Sequence, residues 1–109
     1  MFYCVGILSN MKELVKIVVF VPEGHADKIR QALGEAGAGT IGEYDFCSFS
    51  IKGIGRFKPS DKAHPHIGKA GELEEVSEER IEVACEKSKA KDIIEVIKKA
   101  HPYEEVVID

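Results

Sequence analysis

His101-Pro102-Tyr103-Glu104-Glu105-Val106-Val107-Ile108-Asp109 is the stretch on which the fold reading turns. An imidazole, a phenol and two carboxylates stand between a helical pattern and a short apolar run. Pro102 has no N–H and restricts the residue before it, so it ends the preceding helix and sends the chain out extended. Val106 to Ile108 then reads as a closing strand. His101, at the helix end, is placed to cap the last carbonyls, with a gain from the dipole when charged. Tyr103 can bury its ring and bond its hydroxyl to backbone. On a strand, Glu104 and Glu105 point to opposite sides. That weakens a two-carboxylate acid–base reading, which needs both groups at one site. The segment is first a helix-to-strand junction, and second a lining for a cleft shared between subunits.

Upstream of it, Ala90, Ile93, Ile94 and Ile97 mark an amphipathic helix, with Lys98 and Lys99 at its C-terminal end, where the dipole favours cations. Ile81, Val83 and Cys85 alternate with Arg80, Glu82 and Ala84, the pattern of a half-buried strand. Val15 to Val21 is a nearly continuous β-branched run, as in a central strand. Pro22-Glu23-Gly24 breaks it. Ala26, Ile29, Leu33 and Ala36 then form a helical stripe, with Asp27 in the first turn and Gly37 and Gly39 past the end. Thr40 to Ile51 reads as a further strand. Residues 52–79 read as a long polar connection, with room for an added hairpin at Gly55-Arg56-Phe57. A connection of that length in a small domain is usually functional or disordered.

The order is strand, helix, strand, long loop, strand, helix, strand. Two such split units predict an α+β, ferredoxin-like βαββαβ fold: a four-stranded antiparallel sheet with both helices on one face. We expect a single domain over 11–109, preceded by residues 1–10 as an arm or an extra start. Phe46, Phe49 and Val18 indicate that the uncovered face is not fully polar. An oligomer packed through sheet faces or edges follows.

The 109 residues carry a net charge of −4 with scattered Lys and Arg. That excludes the concentrated basic surface of a duplex-binding protein. No apolar run approaches the roughly 20 residues that span a bilayer, and the start lacks a secretory pattern. Cys4, Cys47 and Cys85 contain no C-x-x-C, so reduced thiols in a cytoplasmic protein are expected.

Gly37-Ala38-Gly39-Thr40-Ile41-Gly42 matches G-x-G-x-x-G, but it follows a helix and enters a strand, the reverse of a dinucleotide fingerprint. Arg56, Lys58 and Lys62 lie near Gly53 and Gly55, where backbone N–H groups and cations can hold a small anion. His64-Pro65-His66 is spaced like a metal-ligand pair. A zinc site normally needs three protein ligands, and only Glu72, Glu74 or Glu75, folding back, would supply a third. His25 begins a helix and reads as exposed or capping. The acidic run Glu72 to Glu79 reads as a solvated linker. No catalytic triad can be assembled.

Several blocks together resemble a known family. They are Gly39-Thr40-Ile41-Gly42-Glu43-Tyr44-Asp45-Phe46-Cys47-Ser48-Phe49-Ser50, Gly53-Ile54-Gly55-Arg56-Phe57-Lys58-Pro59, Ile67-Gly68-Lys69-Ala70-Gly71-Glu72-Leu73-Glu74, Arg80-Ile81-Glu82 and His101-Pro102-Tyr103-Glu104-Glu105. They resemble, in register from about Lys16 to Asp109, the domain inserted in YqfO-type proteins of the Nif-three-like family. The His-Pro-Tyr-Glu segment is also similar to the C-terminal motif of CutA. CutA and PII proteins share a trimeric ferredoxin-like architecture. In the full-length family the dinuclear metal ligands lie in the flanking domains. The resemblance therefore implies a stand-alone version of the insert, without the hydrolase part. One departure stands out: His64-Pro65-His66 replaces the family's Asn-Pro-aromatic.

The leading expectation is a cytoplasmic, non-enzymatic regulatory or ligand-binding and oligomerisation module, a trimer, with no required cofactor. His101, Tyr103 and Glu104 would meet Arg56 and Lys58 at a subunit boundary, around a small anion or nucleotide. The alternatives are divalent-metal binding through His64, His66, His101 and glutamates, and docking to a separately encoded Nif-three-like hydrolase. Neither nucleic acid nor membrane is expected as a partner.

Overall fold

The computed structural model describes residues 13–64 and 68–102. The expected closing strand, with Tyr103 and Glu104, lies outside the described residues, as do His66 and the proposed arm at 1–10.

β1 runs over Leu14–Pro22. A single 3₁₀ turn, Glu23–His25, leads into α1, Ala26–Glu35. β2 is Phe49–Phe57 and β3 is Glu74–Glu86. A second 3₁₀ turn, Lys87–Lys89, opens α2, Ala90–Ala100. The sheet order is β1-β3-β2, antiparallel at both seams. With both helices on one face, this is the ferredoxin-like fold that the sequence pattern predicts.

The core follows from strand alternation. Ile17, Val19 and Val21 of β1 and Ile81, Val83 and Cys85 of β3 share the helix-covered face. Against them pack Ala26, Ile29 and Leu33 of α1 and Ile93 and Ile97 of α2. Fully burying side chains of this size is worth about 1.5–3 kcal/mol each.

α1 ends as its glycines predict. Gly37 has φ 92°, and its N–H donates to the Gly34 carbonyl at 3.1 Å. The Ala38 N–H donates to Leu33 at 3.0 Å. These two bonds form a Schellman cap, which satisfies carbonyls that the helix end would otherwise orphan. The G-x-G-x-x-G letters are thus a helix stop and a turn.

Two boundaries differ from the sequence reading. The strand expected over Thr40–Ile51 begins only at Phe49, and residues 40–48 make a turn with a lone bridge between Ile41 and Tyr44. The long loop expected over 52–79 is mostly strand, because β2 continues to Phe57 and β3 already begins at Glu74. Only residues 58–73 connect them. β1 stops pairing with β3 at Pro22↔Glu78, whereas β2 and β3 continue from Ile54↔Ser77 to Phe57↔Glu74. The hairpin therefore projects beyond the three-stranded sheet as a two-stranded arm.

Candidate functional site

His101 is buried and follows directly on α2. Its backbone N–H closes the helix onto Ile97 at 2.9 Å. The ring does not turn back to the helix carbonyls; Nε2 donates to the Phe20 carbonyl of β1 at 2.6 Å. A carbonyl only accepts, so Nε2 carries the proton. His101 thereby ties the end of α2 to β1, across 81 positions of sequence. Burial holds the imidazole below its ordinary pKa range; the Phe20 bond and the charge of Glu78 oppose this, and His25 adds to it. The neutral ring is the form this junction favours.

The second polar centre is one that sequence reasoning missed. Arg30, on α1, donates through Nη1 to Glu79 at 2.6 Å and to Ser50 at 3.0 Å, and through Nη2 to Asp27 at 2.5 Å. Bonds to Asp27 and then Glu79 hold the guanidinium firmly charged. Glu79 is buried. It belongs to the stretch read as a solvated linker, and that expectation fails at Glu79. The available signal was the alternation of Ile81, Val83 and Cys85: extended back by two, it puts residue 79 on the helix-covered face. Arg30 thus fastens α1 to β3 and to the first residues of β2.

The basic candidates lie on the arm and just past it. Arg56 is exposed and pairs with Glu75 across the seam at 3.3 Å. Lys58 is exposed in the connection, and so is His64. Among the described residues no group of three or more His, Cys, Asp or Glu is arranged to hold a metal. From the register, the row of Arg56 is five residues along β3 from that of Phe20 and two seams across. At about 3.3 Å per residue and about 4.8 Å per seam, Arg56 lies roughly 20 Å from the carbonyl that His101 holds. Among the described residues, one chain does not bring His101 and Arg56 together.

The sheet face opposite the helices carries Val18, Phe20, Phe49, Ile51 and Ala84 by strand alternation. Phe49 and Ile51 are about half exposed. Glu82 accepts from Lys16 at 3.1 Å and Arg80 at 3.2 Å, and the Arg80 guanidinium stands 5.9 Å from the Phe20 ring centre. On the arm, Ile54 faces the helix side, where no helix reaches, and is exposed. Free thiols occur at Cys47 and Cys85, both buried, and burial raises the Cys85 pKa.

An open-faced α+β sheet, a projecting hairpin and a polar helix-to-strand junction define a CutA-like ferredoxin-like domain. The periplasmic divalent cation tolerance protein CutA from Archaeoglobus fulgidus superposes with a TM-score of 0.64 at 18% identity, over 89% of this chain and 80% of that one. At that identity the likeness concerns the fold alone. No protein-family model matches the chain. Sequence comparison is more specific. The GTP cyclohydrolase 1 type 2 homolog of Bacillus subtilis is 53% identical over 96 residues, 88% of this chain and 26% of the relative. A Staphylococcus aureus protein of the same name is 35% identical over 96% of this chain and 29% of its own length. The crystal structure of a Bacillus cereus protein related to NIF3 superposes with a TM-score of 0.77 at 46% identity, over 90% of this chain and 25% of that one. The chain belongs to the NIF3-like (YqfO-type) family and corresponds to its small CutA-like domain. It spans about a quarter of the curated relatives it matches.

The expectation that the chain stands outside enzymes is corrected by these relatives, whose shared name is that of an enzyme homolog. The reading rested on the absence of a catalytic constellation and on a resemblance that puts the metal ligands in flanking domains; the matched span is about a quarter of relatives named for an enzyme. No helix of the described residues is long and apolar enough to cross a membrane.

Proposed function

We propose that this chain is the ligand-binding and assembly module of a NIF3-related protein, and that it works in the cytoplasm as a homotrimer whose ligand site forms between copies. The observation that supports this most is the separation of roughly 20 Å between the His101 junction and Arg56 within one chain. A second copy, laying its arm along the first, brings its own Arg56 and Lys58 toward His101, Tyr103 and Glu104. The half-exposed Phe49 and Ile51 supply apolar surface for such packing. A bare two-stranded arm is marginal in water, which also favours a packed partner.

The ligand class is a small anion or a nucleotide, and GTP is the first probe because the relatives carry it in their name. Sedimentation at micromolar concentration should give three times the chain mass. GTP at about 100 times its dissociation constant should add about 2.7 kcal/mol to stability. Arg56→Ala with Lys58→Ala should abolish that gain and keep the fold. A monomer mass, or a melting temperature indifferent to GTP and to phosphate at millimolar concentration, overturns the reading.

A second reading, divalent-cation binding, is favoured by the CutA neighbours, which are divalent cation tolerance proteins. It predicts stoichiometric copper or zinc uptake through His64 and His66. Uptake unchanged in the His64→Ala, His66→Ala double variant removes it.

A further inference from the structure

Gly53 and Gly55 stand two apart in β2, on the sheet face away from the helices. Glycine weakens a strand interior, and it often marks a place where another backbone or a ligand comes close. Here the pair leaves β2 bare on that face for two rows, from the base of the arm outward. A Cβ on Gly53 would meet nothing within 4 Å. One on Gly55 would collide with Glu78 Oε1, so the Glu78 side chain lies across the seam, over the bare backbone. Phe57, Glu74 and Val76 complete this face of the arm. Among the described residues it has no Lys or Arg, and neither Glu74 nor Glu78 makes an ion pair.

The body of the sheet has the opposite character on the same face. Phe49 and Ile51 project from it, 52% and 49% exposed. Lys16 and Arg80 share the Glu82 carboxylate at 3.1 and 3.2 Å, which leaves one positive charge unbalanced. The carboxylate is sheltered, whereas both cations stay about half exposed.

The two patches are therefore complementary. One is flat and acidic; the other carries projecting apolar groups and a surplus cation. Lys16 and Glu78 cannot meet within one chain. Lys16 pairs with Ala84, six residues along β3 from Glu78, roughly 20 Å at about 3.3 Å per residue. Between copies they can meet. A contact that joins two different patches is satisfied in every copy only when the assembly closes. Opposite charges set across such a contact fix its register.

We propose that the face bearing Gly53, Gly55 and Glu78 lies against the Phe49 and Ile51 side of a second copy's sheet, with Glu78 reaching that copy's Lys16. This rests on the homotrimer reading, and it names the face of the arm that makes the contact and the ion pair that sets its register.

The test mixes isotope-labelled and unlabelled protein at micromolar concentration and adds a carbodiimide, which joins an amine to a carboxylate only in direct contact. The Lys16–Glu82 link within one copy shows that the reagent has acted. A Lys16–Glu78 link between a labelled and an unlabelled chain is expected in the peptide masses. Its absence from an assembled sample that shows the Lys16–Glu82 link overturns the proposal and leaves the homotrimer standing. A monomer mass in sedimentation overturns both. Glu78→Lys should raise the concentration for half-assembly about tenfold or more, since it sets like charges together. Glu95→Lys, on α2, should leave it unchanged. A folded Glu78→Lys variant that assembles like the parent overturns the proposal. If that variant does not fold, the cross-link in the parent protein decides.

Discussion

The two halves of the sheet obey different rules. Where β1 and β3 lie under the helices, the side chains that face them, Ile17, Val19, Val21, Ile81, Val83 and Cys85, are apolar and buried. Along the arm, from Ile54 to Phe57 of β2 and from Glu74 to Ser77 of β3, no helix covers either face, and opposite charges meet across the seam instead: Arg56 stands opposite Glu75. Both regions are regular antiparallel sheet, so backbone pairing does not distinguish them. Burial does. The covered half holds the chain together, and the uncovered half is left to meet something else.

The sharpest way to break that contrast is at Leu33, buried in α1 against both strands. Leu33→Ala should cost about 2–5 kcal/mol through lost burial and the cavity left behind. Urea denaturation should register it as a lower midpoint at unchanged slope. A loss below about 1 kcal/mol would mean that the helix layer is not the source of stability.

Next comes the fastening between the two halves. Arg30→Ala leaves the Glu79 carboxylate buried without its cation. Fully buried pairs cost about 3–5 kcal/mol when one partner is removed. Arg30 is partly solvated, so about 2 kcal/mol is expected. Glu79→Gln should recover part of the loss in the double variant, since it removes the unpaired charge. Additive effects would show that the two groups are not coupled.

These two positions also show what could be read from sequence. Leu33 was legible because a helix backed by a sheet needs an apolar residue every third or fourth position, and the sequence has one. Glu79 was not. It lies among six acidic residues over 72–82, and composition there speaks for a solvated linker. β2 failed for a related physical reason. Thr40 to Cys47 is rich in residues that favour strands, but turns at Gly39 and Gly42 forbid one. The true strand contains Gly53 and Gly55, which propensity rejects. An arm solvated on both faces has no hydrophobic alternation to announce it. At the site, Pro102 fixed the helix end in advance, whereas the Phe20 carbonyl that His101 takes has no side-chain signature at all.

A pH series addresses the junction that closes the covered half. The unfolded imidazole titrates near pH 6.5. In the folded chain burial holds His101 below that value. The unfolded state therefore binds the proton first as pH falls, and the stability that the neutral ring contributes, complete above about pH 6.5, is lost as pH drops through that value toward the folded one. Denaturation midpoints should be level from pH 8 to 7 and decline by pH 5.5. His101→Gln keeps a donor for Phe20 and should flatten that decline. A decline unchanged in the variant would place its origin elsewhere.

The smallest effect on stability is expected along β2, and it is the most telling. Ile51→Ser and Ile54→Ser remove exposed apolar groups, on opposite faces, from a strand with little burial to lose. In the monomer each should change stability by no more than about 0.5 kcal/mol, as at other exposed sites. If copies pack through the open face, Ile51→Ser should lower the sedimentation mass at micromolar concentration, whereas Ile54→Ser reports on the face toward the helices. A mass that responds to one and not the other says which face of β2 is covered. A mass that ignores both, at a stability that also ignores both, would leave the exposed residues of β2 without a packing role.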